Sequence, residues 1–226
     1  MRPKRRGAIL ISGRGSNMAA LLHAAHATDY PVDFALVVSN RPEAGGLDIA
    51  RAAGVEALAI DHKRYKTREG FEAALHEALT AARAEIVCSA GFLRLFTPGF
   101  VAAWHGRLLN IHPSLLPAFR GLHPHVQALK AGVRISGCTV HFVSAEMDAG
   151  PIIAQAAVPV LPGDDEEALS ARILAAEHRL YPQAVRLVAS GAVRLEGDRL
   201  IGSAEPESGE AEAGAGAALY SPPLQP

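Results

Sequence analysis

Four short apolar runs, at residues 7–12, up to Asn40, at 57–60 and at 86–90, are each followed by a polar turn and then by a helical pattern. That alternation constrains the chain more than anything else in it. Successive strands separated by helices can share a sheet only as parallel neighbours with helical crossovers, which is a doubly wound arrangement. The run at 86–90 is apolar almost throughout, as expected of a central strand covered on both faces. Thr67 reads as the N-cap of a helix running to about Arg83, and Thr97-Pro98 as an N-cap followed by proline at the first helical position. Residues 136–143 and 151–160 alternate as strands about a turn, which predicts an antiparallel hairpin. The acids of 164–167 open a long helix to about Ser190, and 193–201 reads as a small hairpin. The expected fold class is α/β, a doubly wound, mostly parallel sheet with antiparallel strands near the C-terminal end.

The chain has 226 residues, of which 49% are hydrophobic and 20% charged, enough for one good-sized core. We therefore expect one domain over 1–202. From 203 to 226 the composition shifts to Ala, Gly, Glu, Ser and Pro, which buries too little apolar surface to order itself and predicts a flexible tail. A net charge of −1 without a basic stripe argues against a nucleic-acid partner. Arg2-Pro3-Lys4-Arg5-Arg6 resembles the head of a signal peptide, but the apolar run behind it covers only 8–11, and no later run is long enough to span a bilayer. A cytoplasmic protein with no membrane partner is expected. Cys88 and Cys138, both in apolar strands, read as buried thiols.

Three stretches can carry chemistry. The first is Gly13-Arg14-Gly15-Ser16-Asn17, between a strand and a helix. Glycines there either serve a tight turn or bring backbone N–H groups and a helix amino terminus to an anion. Met18 stands where a dinucleotide fingerprint needs its third glycine. The second is Asn110-Ile111-His112-Pro113-Ser114-Leu115-Leu116-Pro117, where a buried strand gives way to a proline-bracketed loop. Residues 110 and 112 lie on one side of an extended chain. The third is Glu146-Met147-Asp148-Ala149-Gly150. An amide donor, an imidazole and a carboxylate suit acyl-type transfer to an amine, although polar residues at a strand end and a turn aspartate are equally consistent with these types. His123 and His125, with His112 and Asp148, have a spacing seen in metal sites, but no cysteine pair or His-Glu-x-x-His pattern supports one, and no metal is expected.

The motif at 110–117, together with Gly121-Leu122-His123-Pro124-His125 and Glu146-Met147-Asp148-Ala149-Gly150-Pro151-Ile152, resembles the phosphoribosylglycinamide formyltransferases over roughly residues 7–201. These enzymes use 10-formyltetrahydrofolate as one-carbon donor. The resemblance implies a Rossmann-like formyltransferase fold and formyl transfer to the amine of 5′-phosphoribosylglycinamide in purine biosynthesis, without metal. Asn110, His112 and Asp148 match the catalytic residues. Gly15, Ser16, Asn17 and Glu177 match positions that hold the ribonucleotide, with Arg14 departing from the family's usual Asn. Arg68, Leu93, Arg94, Leu95, Phe96 and Asn110 match positions that contact the folate. The implied partners are small molecules, the protein acting as a monomer or homodimer. Related deformylases carry an added amino-terminal domain and methionyl-tRNA formyltransferases an added carboxyl-terminal one, so water and tRNA are the less expected acceptors.

Overall fold

The structure, a computed structural model, describes residues 3–202 and 219–221. The backbone forms two compact units. One comprises Met1–Asn110 with Val143–Ala145, the other Ile111–Phe142 with Glu146–Pro226.

The first unit is built from β1 (Arg5–Ile11), α1 (Ser16–Ala25), β2 (Val32–Ser39), α2 (Gly46–Ala52), β3 (Glu56–Ala59), α3 (Arg68–Ala81), β4 (Ile86–Ser89), α4 (Pro98–Ala103) and the first part of β5 (Leu108–His112). Its strands run in the order β5-β4-β1-β2-β3, all parallel. β4 is buried at all four residues, as a central strand should be. The order reverses at β1, which has β2 on one side and β4 on the other. In an open α/β sheet such a reversal splays the loops apart at the carboxyl ends of the strands and opens a crevice for ligands. Two helix starts follow local rules that the sequence declares: Thr67 Oγ1 accepts the Gly70 N–H, and Thr97 Oγ1 accepts that of Phe100 ahead of Pro98. The core gathers Leu10, Leu36, Val38, Leu75 and Leu79 around the rings of Phe71, Phe92, Phe100 and Trp104.

The second unit centres on the hairpin β6 (Ile135–Phe142) and β7 (Ile152–Pro159), antiparallel as expected. The two strands approach closely at Gly137, where a Cβ would lie 1.9 Å from the Ala156 carbonyl oxygen. The 25-residue helix α6 (Glu166–Ser190) packs on this hairpin, its N-terminus capped by the Asp165 carboxylate accepting the Ala168 N–H. Just ahead of it, Arg172 grips Asp164 through two bonds of 2.6 and 2.9 Å and holds that carboxyl below its ordinary range. β8 (Arg194–Glu196) and β9 (Arg199–Ile201) form the small hairpin read from the sequence.

Two elements depart from expectation. α5 (Pro124–Ala131) follows the loop at 119–123, in a stretch to which the sequence pattern assigned no element; Pro124 opens it and Gly132, at φ 66°, closes it. Within the segment expected to be a flexible tail, Leu219–Ser221 forms a strand, β10, antiparallel to β7. The ring of Tyr220 lies beneath the Arg179 guanidinium at 5.1 Å, an attraction that helps hold the strand. Residues 203–218 and 222–226 lie outside the described residues.

Candidate active site

In the first unit β1 ends at Ile11, and the turn through Gly13 and Gly15 delivers the chain into α1 at Ser16. Gly15 adopts φ 76°, a left-handed conformation that glycine enters without a Cβ clash. It occupies the N-cap position of α1, and no side chain caps the helix there. Ser16 and Asn17 therefore lie in the first turn, where backbone N–H groups and the helix dipole suit an anion. Gly46, which sequence reasoning did not single out, supports this turn from behind. Its N–H donates to Gly13 O at 3.0 Å, and a Cβ on it would lie 2.5 Å from Ile11 Cδ1. The only hint of this in the sequence is the Gly45-Gly46 pair after the second strand.

After β4, residues 91–96 split by side. Phe92 turns inward and stacks on Phe71 and Phe96, and Phe96 stacks on Phe100 at 4.9 Å between ring centres. Leu93 and Leu95 point out and are 64% and 54% exposed. Of the four residues read from the resemblance as folate contacts in this loop, these two present apolar surface. Arg94 lies half-buried with its guanidinium 5.9 Å from the Phe71 ring centre, and the Phe96 ring belongs to the core stack. Arg68 is exposed in the first turn of α3. Asn110 is half-buried on β5, paired in register with Ser89 of β4.

In the second unit the structure brings together His112 and Asp148. His112, the last residue of β5, is 6% exposed. Its Nδ1 lies 3.4 Å from Asp148 Oδ2, and its Nε2–H donates to Phe119 O at 2.9 Å. Asp148 adopts φ 50°, and its Oδ2 also accepts the Gly121 N–H at 2.9 Å. The loops at 119–123 and 146–150 are thus tied through that carboxylate, and again at the rim by Arg120 and Glu146, 2.8 Å apart. Gln127 on α5 donates to Arg120 O and Leu122 O, fixing the first loop from its other side.

A second imidazole faces Asp148. His141 Nε2 lies 3.9 Å from Asp148 Oδ1, while its Nδ1–H donates to Phe142 O at 2.9 Å. Burial holds His141 below the ordinary imidazole value, opposed by the Phe142 carbonyl and Asp148. His125, half-buried, is shifted the same way, again chiefly by burial. His123 caps α5 in a left-handed conformation and is exposed. Among the described residues no group of three or more His, Cys, Asp or Glu side chains is arranged to hold a metal ion.

The rigid loop after β5 is held by residues that the sequence did not mark. Thr139 Oγ1 donates to Ser114 O at 2.7 Å and accepts the Leu116 N–H at 3.0 Å. Gln155 Nε2 donates to Leu116 O at 2.9 Å. Two hairpin side chains thereby fix the backbone that leaves His112. Glu177, read from the resemblance as a ribonucleotide contact, is only 5% exposed on α6. Its charge adds to burial in pushing the Cys138 thiol well above its ordinary range.

Comparison with known proteins places these features in context. Residues 5–185 match the Formyl transferase family. The trifunctional purine biosynthetic protein adenosine-3 of Bos taurus is 50% identical over 192 residues, 85% of this chain but 19% of that protein. The chain thus spans about a fifth of that longer relative. The phosphoribosylglycinamide formyltransferase of Escherichia coli is 41% identical over 187 residues, 83% of this chain and 88% of its own length. The crystal structure of glycinamide ribonucleotide transformylase 1 from Symbiobacterium toebii superposes with a TM-score of 0.85 at 50% identity, covering 88% of this chain and 94% of that one.

Proposed function

The chain belongs to the formyl transferase family, and from that premise we propose that it transfers the formyl group of 10-formyltetrahydrofolate to the amine of 5′-phosphoribosylglycinamide, a step of purine biosynthesis in the cytoplasm. The observation that carries the reading is the buried His112–Asp148 pair at the end of β5, with Asn110 two residues upstream on the same strand.

The amine nitrogen attacks the formyl carbon and a C–N bond forms while negative charge gathers on the formyl oxygen. Asn110, as a neutral donor, and His112, through an N–H, stabilise that oxygen. With Nδ1 turned to Asp148, the nitrogen available for this is Nε2, whose proton is now donated to Phe119 O. The 119–123 segment therefore yields that bond when the reacting group arrives. The bond to N10 then breaks, the amine gives up a proton, N10 gains one, and tetrahydrofolate leaves. Asp148 orients the imidazole throughout. No covalent enzyme intermediate is needed, because holding two reactants in register replaces an improbable encounter by an intramolecular step.

Binding follows the same division. The uncapped start of α1, with Gly15, Ser16 and Asn17, takes the phosphate of the ribonucleotide, and exposed Leu93 and Leu95 offer apolar contact to the flat pteridine ring. No metal takes part.

The test mixes the purified protein with 10-formyltetrahydrofolate and follows release of tetrahydrofolate, with and without the ribonucleotide. Release that depends on the ribonucleotide is expected. Equal release without it would make water the acceptor, and no release in either case would remove the assignment.

A further inference from the structure

The sheet order reverses at β1, so the ends of β1 and β4 flank the crevice that such a reversal opens. One small side chain joins the two loops leaving those strands. Ser12 sits directly after β1 and directly before Gly13, and it is 2% exposed. Its backbone N–H donates to Gly91 O at 3.1 Å, and its Oγ accepts the Leu93 N–H at 2.8 Å. The hydroxyl proton goes to Asn40 Oδ1 at 2.6 Å, and Asn40 is itself fixed because its carbonyl accepts the His62 Nδ1–H at 2.8 Å. The Ser12 hydroxyl is therefore used in both directions, with its orientation set from the end of β2.

The two loops are not equally anchored without it. The Gly13–Gly15 turn has its own supports in Gly46 and in the first turn of α1, where the Ala19 N–H donates to Gly15 O at 2.9 Å. The 91–96 segment is held at its far end by Glu72, a buried carboxylate that accepts the Thr97 N–H at 2.7 Å and the Thr97 hydroxyl. Ser12 grips it at its near end, at the residue whose side chain is the most exposed of the segment.

We infer that Ser12 is a positioning residue, fixing Leu93 and Leu95 relative to the anion-binding turn so that the folate ring is received in register with the ribonucleotide. The inference rests on the functional reading above. It goes beyond that reading in giving a buried hydroxyl that meets no substrate control over the affinity for one of them. Alanine at this position would leave the Leu93 N–H and Asn40 Oδ1 without their partner, and loss of one such buried bond corresponds to roughly a tenfold effect.

The experiment compares Ser12→Ala and Ser12→Thr with the unaltered chain. Expected are a KM for 10-formyltetrahydrofolate about tenfold higher in Ser12→Ala, a KM for the ribonucleotide changed less than threefold or so, a kcat within about twofold, and recovery in Ser12→Thr, which keeps the hydroxyl. A merely structural role would lower the active fraction, and so kcat, with both KM values unmoved, and that outcome would overturn the inference. A second measurement needs no variant. In the unaltered protein the Leu93 amide, although its side chain is exposed, should exchange with solvent deuterium far more slowly than the nearby Leu95 amide, and fast exchange at Leu93 would overturn the anchor. If the unaltered protein releases no tetrahydrofolate, the functional reading has failed while the exchange measurement still reports on Ser12.

Discussion

Asp148 Oδ2 stands 3.4 Å from His112 Nδ1 and at the same time accepts the Gly121 N–H at 2.9 Å, so one oxygen serves both the imidazole and the backbone of a neighbouring loop. Asn in place of Asp148 keeps an oxygen for Gly121 but removes the charge facing His112. Asp148→Asn should therefore fold with nearly unchanged Tm and lose turnover. His112→Ala should lose about 100- to 1000-fold in kcat, the usual cost of removing a donor to a developing oxyanion. Steady-state kinetics on both variants checks this, and near-native turnover in either would remove that residue from the chemistry.

Gly15 carries the turn into α1 at φ 76°. Alanine there meets the left-handed penalty of about 1–2 kcal/mol, and its Cβ would lie 3.0 Å from both Gly46 Cα and Met18 Cε. The turn should relax by moving its N–H groups. Gly15→Ala is expected to raise the KM for the ribonucleotide well above any change for the folate, a contrast that two-substrate kinetics can read.

Stability should fall on mild acidification. Burial holds His141, His125 and His178 below the ordinary imidazole value of 6.5. Asp148 and the Phe142 carbonyl oppose this at His141 and Glu166 opposes it at His125, while His112 reinforces it at both. Below pH 6.5 the unfolded chain takes up protons that these folded sites refuse, so stability present above that pH is lost as pH falls toward the folded values. Tm measured from pH 8 to pH 5 should decline mainly below about 6.5, and His141→Gln should flatten part of the slope. A profile unchanged across that range would contradict the lowered values of these rings.

Cys88 and Cys138 are buried, and burial followed by the charge of Glu177 pushes the Cys138 thiol far above its ordinary value. Reaction requires thiolate and access. In the native protein both thiols should resist an aromatic disulfide reagent for hours and react promptly in denaturant. Rapid native labelling at Cys138 would show that its strand opens.

What the sequence made legible was local or periodic. Thr67, Thr97-Pro98 and the acids ahead of α6 declare helix starts because a cap acts within one turn. The parallel sheet followed from alternating runs, and the β6–β7 hairpin from period-two patterning. The short helix α5 escaped notice because eight residues between His123 and Gly132 hold little more than two turns of pattern. β10 was hidden by the composition around it, and its partner strand lies some sixty residues earlier. The split of 91–96 into inward phenylalanines and outward leucines depends on packing against α3 and α4, which no loop sequence encodes. Thr139 and Gln155 act on a loop more than twenty residues away, so nothing near them in the chain marks the task.

The column of rings through Phe71, Phe92, Phe96 and Phe100 ends at Trp104, the only tryptophan in the chain. That indole has the Arg107 guanidinium 4.6 Å from its centre and the His76 ring edge-on at 5.7 Å. The protein's one indole fluorophore thus stands at one end of a continuous stack that reaches the 91–96 segment. If the proposed folate contacts at Leu93 and Leu95 reorder that segment, Trp104 emission, selectively excited, should change in colour or intensity on adding the folate, with no label attached.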